Sequence, residues 1–292
     1  LKKRAAASAA PTAAAVFLVQ DYRLDFTLDS GQAFRWRRHG EAWEGAVGGR
    51  WVRLQAGPQR LEASTAAPVP GWDWLADYLQ VEARLGAILD SFPTDDLMRR
   101  AIEACRGLRL LRQDPWECLA SFLLSSTKQI VQIRQMVELL CRRYGDPLAV
   151  PSGTEPMNAF PTAARLAACS EKELRECKLG FRAPYLRETA RWVAEHGEAF
   201  GRLAGLPLAQ AREQLVQLPG VGEKIAECVL LFAFGMSAAF PIDVWIARGL
   251  GCHYFPGRRV SARRLREFAA GYFGPHAGYA QQYLFHYLRT QS

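Results

Sequence analysis

Between residues 16 and 65, apolar and polar positions alternate with a period of two, the spacing of half-buried strands. The stretch FRWRRHGEAWEGAVGGRWVRL predicts strands joined by turns at His39-Gly40 and Gly48-Gly49. Phe34, Trp36, Trp43, Val47 and Trp51 are its candidate core or face residues. At Trp72 the period becomes helical, in WDWLADYLQVEARLGAIL, with Asp73 placed to cap it. From there the pattern stays helical. Pro115 opens a helix with Asp114 as its cap, a helix spans 128–144, and residues 151–161 form a Pro/Gly-containing connector. Short helices are predicted over 162–168, 171–177 and 183–196, another helix starts at Asp243, and YAQQYLFHYLR is the last. Strands followed by helices give an α+β chain, mostly α, with an antiparallel sheet domain and a helix at 16–93 and helical domains over 94–292. Residues 1–15, Ala-rich and broken by Pro11, are expected as a mobile N-terminal tail.

One stretch is punctuated differently. In LPGVGEKIAECVLLFAFGMSAAFPIDVW, residues 218–245, Gly220 and Gly222 flank Val221 in a tight loop between two apolar-periodic segments. Pro207 opens the segment before it, and Ile225, Val229 and Phe232 form a buried stripe on the segment after it. This is a helix-hairpin-helix pattern. Its loop amides, at a helix N-terminus, make a ready phosphate site. Lys224 falls in the first turn of the second helix, a poor place for a cation, and a neutral amine is the form that attacks carbon. Cys228, four residues on, shares its face. Asp243 follows Pro241 and is first of all an N-cap.

Composition narrows the function classes. The 292 residues carry a formal net charge of +8, with Arg exceeding Lys, which favours a polyanion but equally suits an acidic lipid surface. Seven cysteines, an odd number without a CxxC, read as mostly buried thiols in a reducing compartment. No apolar run reaches membrane-spanning length. There is no GKS or GKT and no strand before the glycines, which excludes a P-loop or dinucleotide fingerprint. Five histidines without HExxH, and no cysteine pair at zinc-ligand spacing, give a metalloenzyme little support.

The hairpin with Lys224, Cys228 and Asp243 resembles the catalytic core of the helix-hairpin-helix DNA glycosylases, and within them the 8-oxoguanine DNA glycosylase family. SGQAFRW, LLRQDPWECLASFLLSS, FPTAARLAACSEKELRECKLGFRAPYL and AGYAQQYLFHYLR are similar to family segments in the family's order, so the resemblance covers about residues 16–290. It implies a sheet domain and two helical domains with the substrate cleft between them, the catalytic core lying at about 207–250. It also implies excision of a flipped 8-oxoguanine from damaged double-stranded DNA, and β-elimination through a Lys224 Schiff base. Asp243 would stabilise positive charge developing on the sugar. The Gly31 carbonyl would accept the N7–H that guanine lacks. Phe285 and Cys228 would sandwich the base, and Gln281 would read its Watson–Crick edge. Arg182 would contact the orphaned cytosine, with Phe181 as an aromatic wedge. Gly220, Val221, Gly222, Trp245, Thr127, Lys128 and Gln129 would face DNA. Only Cys252 follows Asp243, so no iron–sulfur cluster is expected, nor any metal or cofactor. The expectation is a monomer without a membrane partner, in the cytoplasm or nucleoid of a bacterium or the nucleus of a eukaryote.

Three departures stand out. The family's three asparagines after SS are Thr127, Lys128 and Gln129 here. Gln132 stands for a cytosine-reading Arg, and Trp245 for a phosphate-contacting His. A weaker opposite-base preference follows, with Lys128 as substitute gap-filler. Two other readings stay open: a glycosylase for another damaged purine, alkylated or ring-opened, and a non-catalytic helix-hairpin-helix DNA-binding protein. Lys224 separates the last from an enzyme, because bare phosphate binding has no use for it.

Overall fold

The computed structural model describes residues 13–291. Five strands, β1 (Ala13–Leu18), β2 (Arg37–His39), β3 (Ala42–Val47), β4 (Arg50–Gly57) and β5 (Arg60–Thr65), form one sheet in the order β1-β5-β4-β3-β2, with every pairing antiparallel. Gly48 and Gly49 join β3 to β4 with φ of +54° and +72°, the two positive values that a tight hairpin matching the strand twist requires. The sheet begins at Ala13, so residues 13–15, expected in the tail, are paired with Ala63 to Thr65. The rest of that tail, residues 1–12, lies outside the described residues.

The helices are α1 (Leu24–Asp29), α2 (Asp73–Leu79), α3 (Leu85–Asp90), α4 (Asp96–Cys105), α5 (Pro115–Leu123), α6 (Ile130–Tyr144), α7 (Ala163–Ala167), α8 (Glu171–Glu176), α9 (Ala183–Glu195), α10 (Gly197–Arg202), α11 (Leu208–Val216), α12 (Glu223–Phe232), α13 (Val244–Tyr254), α14 (Ala262–Tyr272) and α15 (Ala277–Thr290). Two cores result. In the smaller, Trp36, Trp43, Val52, Leu54 and Leu61 of the sheet side meet Leu24 and Leu28 of α1 and Leu75 and Leu79 of α2. Two of the buried indoles have polar partners: Trp36 Nε1 donates to the Tyr78 hydroxyl and Trp43 Nε1 to Asp25, each at 2.8 Å. The larger core is helical and takes in Leu85, Ile88 and Leu89 of α3. Phe34 also belongs there, edge-on to Phe122 at 5.4 Å, rather than to the sheet.

Side-chain caps set several of the helix starts. Asp114 caps α5 through the Glu117 amide, and Thr162, Ser170 and Ser261 cap α7, α8 and α14. Asp73 does not cap α2. Trp72 holds the cap position, no side chain caps the helix, and Asp73 sits in the first turn. The helix expected from 128 begins at Ile130, because Thr127 adopts a φ of +56° and Gln132 Oε1 takes the Gln129 amide at 3.2 Å. These choices leave residues 125–129 as a loop between the end of α5 and the start of α6, facing the hairpin.

Candidate active site

A cleft of about 1000 Å³ opens between that loop, the hairpin with α12, the start of α13, α15, and the segment carrying Gly31. Its positioning begins with the hairpin. Gly220 has φ +76°, and a Cβ there would stand 2.7 Å from Tyr185, so both backbone and packing demand glycine. Gly222 caps α12 without a side chain, which leaves first-turn amides open at the surface. Val221 departs from expectation: it is 5% exposed and its amide is already bonded to the Leu218 carbonyl at 3.0 Å. It closes the turn from inside, and Gly220 and Gly222 are left to face the cleft.

Lys224 projects from the first turn of α12 across to the end of α5. Its Nζ donates to Ser125 Oγ at 2.9 Å and lies 5.3 Å from the centre of the Phe122 ring. Ser125 Oγ in turn donates to the Phe122 carbonyl at 2.6 Å, so its lone pair is left for the lysine. Asp243 caps α13, its Oδ1 accepting from the Ile246 amide at 2.9 Å. Burial pushes its carboxyl above the ordinary aspartate value, against the Ile246 amide and the Lys224 charge, which pull it down. The approach to Asp243 is fixed by Glu227, which is 3% exposed. Its carboxylate takes the Phe240 amide at 2.8 Å and pairs with Arg212 at 2.7 Å.

A recess of the same cleft adjoins these two groups. Cys228 is buried on the Lys224 face, and desolvation pushes its thiol up to about 12, so it offers a neutral sulfur surface. Phe285 lines the recess from α15. Gln281 also lines the cleft; it is 4% exposed and its buried Oε1 has no hydrogen-bond partner. Gly31 has φ +80°, and a Cβ there would stand 2.7 Å from Ile130 and 3.4 Å from Phe285. Thr127, Lys128, Gln129 and Trp245 line the mouth.

Arg182 and Phe181 are placed otherwise. Arg182, expected to contact a cytosine, is 3% exposed, and its guanidinium is turned into the 125–127 loop. It donates to Thr127 Oγ1 at 2.9 Å, to the Ser126 carbonyl, and to Leu179 at 3.3 Å. Phe181, 57% exposed, lies outside the cleft wall with the Arg182 guanidinium 4.2 Å from its ring centre. The sequence reading missed Ser125 and Glu227 as site residues. A glutamate inside the apolar run of α12 was the visible signal for the second; nothing in LLSS singled out the first.

Among the described residues no group of three or more His, Cys, Asp or Glu could hold a metal ion, and no helix is long and apolar enough to cross a membrane. Residues 16–119 match the N-terminal domain of 8-oxoguanine DNA glycosylase, and residues 120–273 match the HhH-GPD superfamily of base excision DNA repair proteins. A probable N-glycosylase/DNA lyase of Methanothermobacter thermautotrophicus is 33% identical over 302 residues, which cover 93% of this chain and 95% of that protein. Among solved structures, MBOgg1 in complex with a low-affinity DNA ligand superposes with a TM-score of 0.89 at 30% identity, covering 95% of this chain and 96% of that one. The Clostridium acetobutylicum 8-oxoguanine glycosylase/lyase, bound to double-stranded DNA with cytosine opposite 8-oxoG, superposes at 0.87 with 29% identity over 92% of each chain. With this fold, this cleft and these relatives, the chain belongs to the 8-oxoguanine DNA glycosylase family within the HhH-GPD superfamily of base excision DNA repair proteins.

Proposed function

We propose that this chain flips 8-oxoguanine out of duplex DNA, excises it, and nicks the abasic strand by β-elimination, with Lys224 as the nucleophile. The observation that supports this best is the unpartnered Gln281 acceptor and the Cys228 and Phe285 surfaces in the same cleft as Lys224 and Asp243. Extruding a base costs a few kcal/mol, and the recess returns part of it through stacking and edge contacts. Lys224 Nζ attacks C1′, the N-glycosidic bond breaks, and the base leaves with the bonding pair. Asp243 stabilises the positive charge that develops on the sugar. The C1′–O4′ bond then breaks, O4′ taking the proton released by the amine, and the amine on C1′ becomes a Schiff base. Loss of a C2′ proton then breaks the C3′–O bond. Each of these steps uses groups of one chain, so the enzyme acts as a monomer and without a cofactor. Its place is wherever chromosomal DNA lies, the cytoplasm or nucleoid of a prokaryote or the nucleus of a eukaryote.

Gly31 offers its carbonyl to N7–H, Gln281 reads the opposite edge, and the open α12 amides with Lys128 hold phosphate. The test is borohydride trapping on a duplex with one 8-oxoguanine opposite C, comparing wild type with Lys224→Gln. A covalent band that needs both the lesion and Lys224 is expected; base release without a band would overturn the role given to Lys224. The same assay opposite C, A, G and T reads the opposite base. With Arg182 turned inward, similar rates are expected, and a strict preference for C would sink that part of the reading.

A further inference from the structure

The segment that carries Gly31 shows four consecutive carbonyls with different fates. The Asp29 carbonyl accepts from Arg289 Nη2 at 2.9 Å. The Ser30 carbonyl accepts from Gln282 Nε2 at 3.0 Å. The Gln32 carbonyl accepts from Gln113 Nε2 at 2.6 Å. Among the described residues nothing donates to the Gly31 carbonyl. The backbone there is held in the left-handed region at φ +80°, beside Ile130 and Phe285.

The side chain of Gln32 fastens the same segment from within. It is fully buried, and its Nε2 is shared between the carbonyls of Thr27 and Arg109, both at 2.8 Å, and Ser30 Oγ at 3.1 Å. Its Oε1 accepts from the Leu111 amide at 2.8 Å. Gln113, which takes the Gln32 carbonyl, is itself tied by its amide to the Phe232 carbonyl at 2.8 Å, the last residue of α12. Gln282 follows Gln281 on α15. The frame around Gly31 is therefore anchored to the two helices that carry the nucleophile and the base reader.

We propose that Gln113 and Gln282 are specificity-positioning residues: by taking the carbonyls on either side of Gly31, they leave its carbonyl as the open acceptor of that segment and fix its direction. The proposal rests on the reading of the cleft as an 8-oxoguanine site and deepens it. A purine with a hydrogen on N7 satisfies the carbonyl. A purine with a lone pair there leaves two acceptors facing each other, and a fixed backbone cannot turn away to relieve that. Without the two amides the Gly31 peptide gains freedom, and the hydrogen bond to the lesion is no longer pre-formed.

The experiment compares Gln113→Met and Gln282→Met with wild type in two single-turnover assays on the full chain. One is excision of 8-oxoguanine opposite C; the other is cleavage of a pre-formed abasic site, which needs Lys224 but no base recognition. The ratio of the first rate to the second is expected to fall about tenfold in each variant. If one variant does not fold, the other is read. A ratio equal to that of wild type overturns the proposal, and so does a parallel fall of both rates, which is what a merely structural role gives. If wild type itself releases no 8-oxoguanine, the reading of the site has failed, and that outcome is separate from an unchanged ratio in an active enzyme.

Discussion

At Asp243 one carboxylate serves two ends. It caps α13 through the Ile246 amide, and it is held partly buried beside Lys224, where burial raises its pKa. A carboxyl whose folded pKa lies above its unfolded value adds stability at low pH and loses it as pH rises through the folded value. On the proposed reading, in which the ionised form stabilises charge on the sugar, that form is maintained at a cost to folding. Asparagine keeps the cap and removes the charge. Asp243→Asn is expected to match or exceed wild type in thermal unfolding at pH 7, while single-turnover excision falls by about 10²–10³. Wild-type excision should show an acid limb above the pH of an ordinary aspartate. A variant that is both active and less stable would contradict this account. Thr127 is a second residue under constraint. Its φ of +56° is uncommon for a β-branched side chain, and Arg182 holds the loop in that shape through Thr127 Oγ1 and the Ser126 carbonyl. An asparagine tolerates such a φ more easily; here an arginine side chain is spent on it.

The elements around the cleft are fastened by a few polar nodes set among aromatic rings. Asp95 is the clearest. Its Oδ1 caps α4 by taking the Leu97 and Met98 amides at 2.9 and 3.0 Å. Its Oδ2 accepts from Tyr254 at the end of α13 and from Tyr272 at the end of α14, at 3.0 and 2.8 Å. Tyr254 also packs with Phe268, Tyr272 and Phe273, so the node ties the α13–α14 pair to α4. Asp95→Ala removes a cap and two phenol bonds together and is expected to cost on the order of 2–3 kcal/mol, read from the denaturant midpoint. Asp96→Ala, which touches only exposed arginines, should change it little. Sequence pattern showed most of the helices and the Asp114 and Asp243 caps, because an N-cap is a bond between near neighbours. It did not show Asp95 as the joint of three helices, because Tyr254 and Tyr272 lie 159 and 177 residues away.

Over the whole molecule, the cleft is the seam where segments far apart in sequence meet, and titratable groups lie buried away from it. His286 on α15 is 7% exposed, packed against Phe26 at 5.2 Å, and burial with the nearby Arg289 charge lowers its pKa to about 4. The folded state keeps this ring neutral while the unfolded chain protonates near 6.5. Stability from this group is full above pH 6.5 and is lost as pH falls toward 4, by on the order of 3 kcal/mol. Glu117, whose pKa burial raises to about 7, acts in the opposite sense, stabilising as pH falls through that value. The His286 part is therefore read as the difference between wild type and His286→Phe in unfolding free energy across pH 4 to 7. A constant difference would show that the ring is not held neutral.

Sequence alone determined most of the order of strands and helices and the hairpin with its glycines, because period and turn chemistry are local properties; Lys224, Cys228 and Asp243 stood out by their spacing around that hairpin, and Gly31, Gln281 and Phe285 only through the resemblance to the family. The tertiary structure decided which of those side chains share one cavity. It gave Ser125 to Lys224 and Glu227 to the approach to Asp243, turned Arg182 into a loop fastener, and spent the Val221 amide inside the turn. It also bonded three carbonyls around Gly31 and left one open. These are hydrogen bonds between residues up to 260 positions apart, and they exist only when the packing of both cores brings buried donors to the acceptors that must be satisfied there.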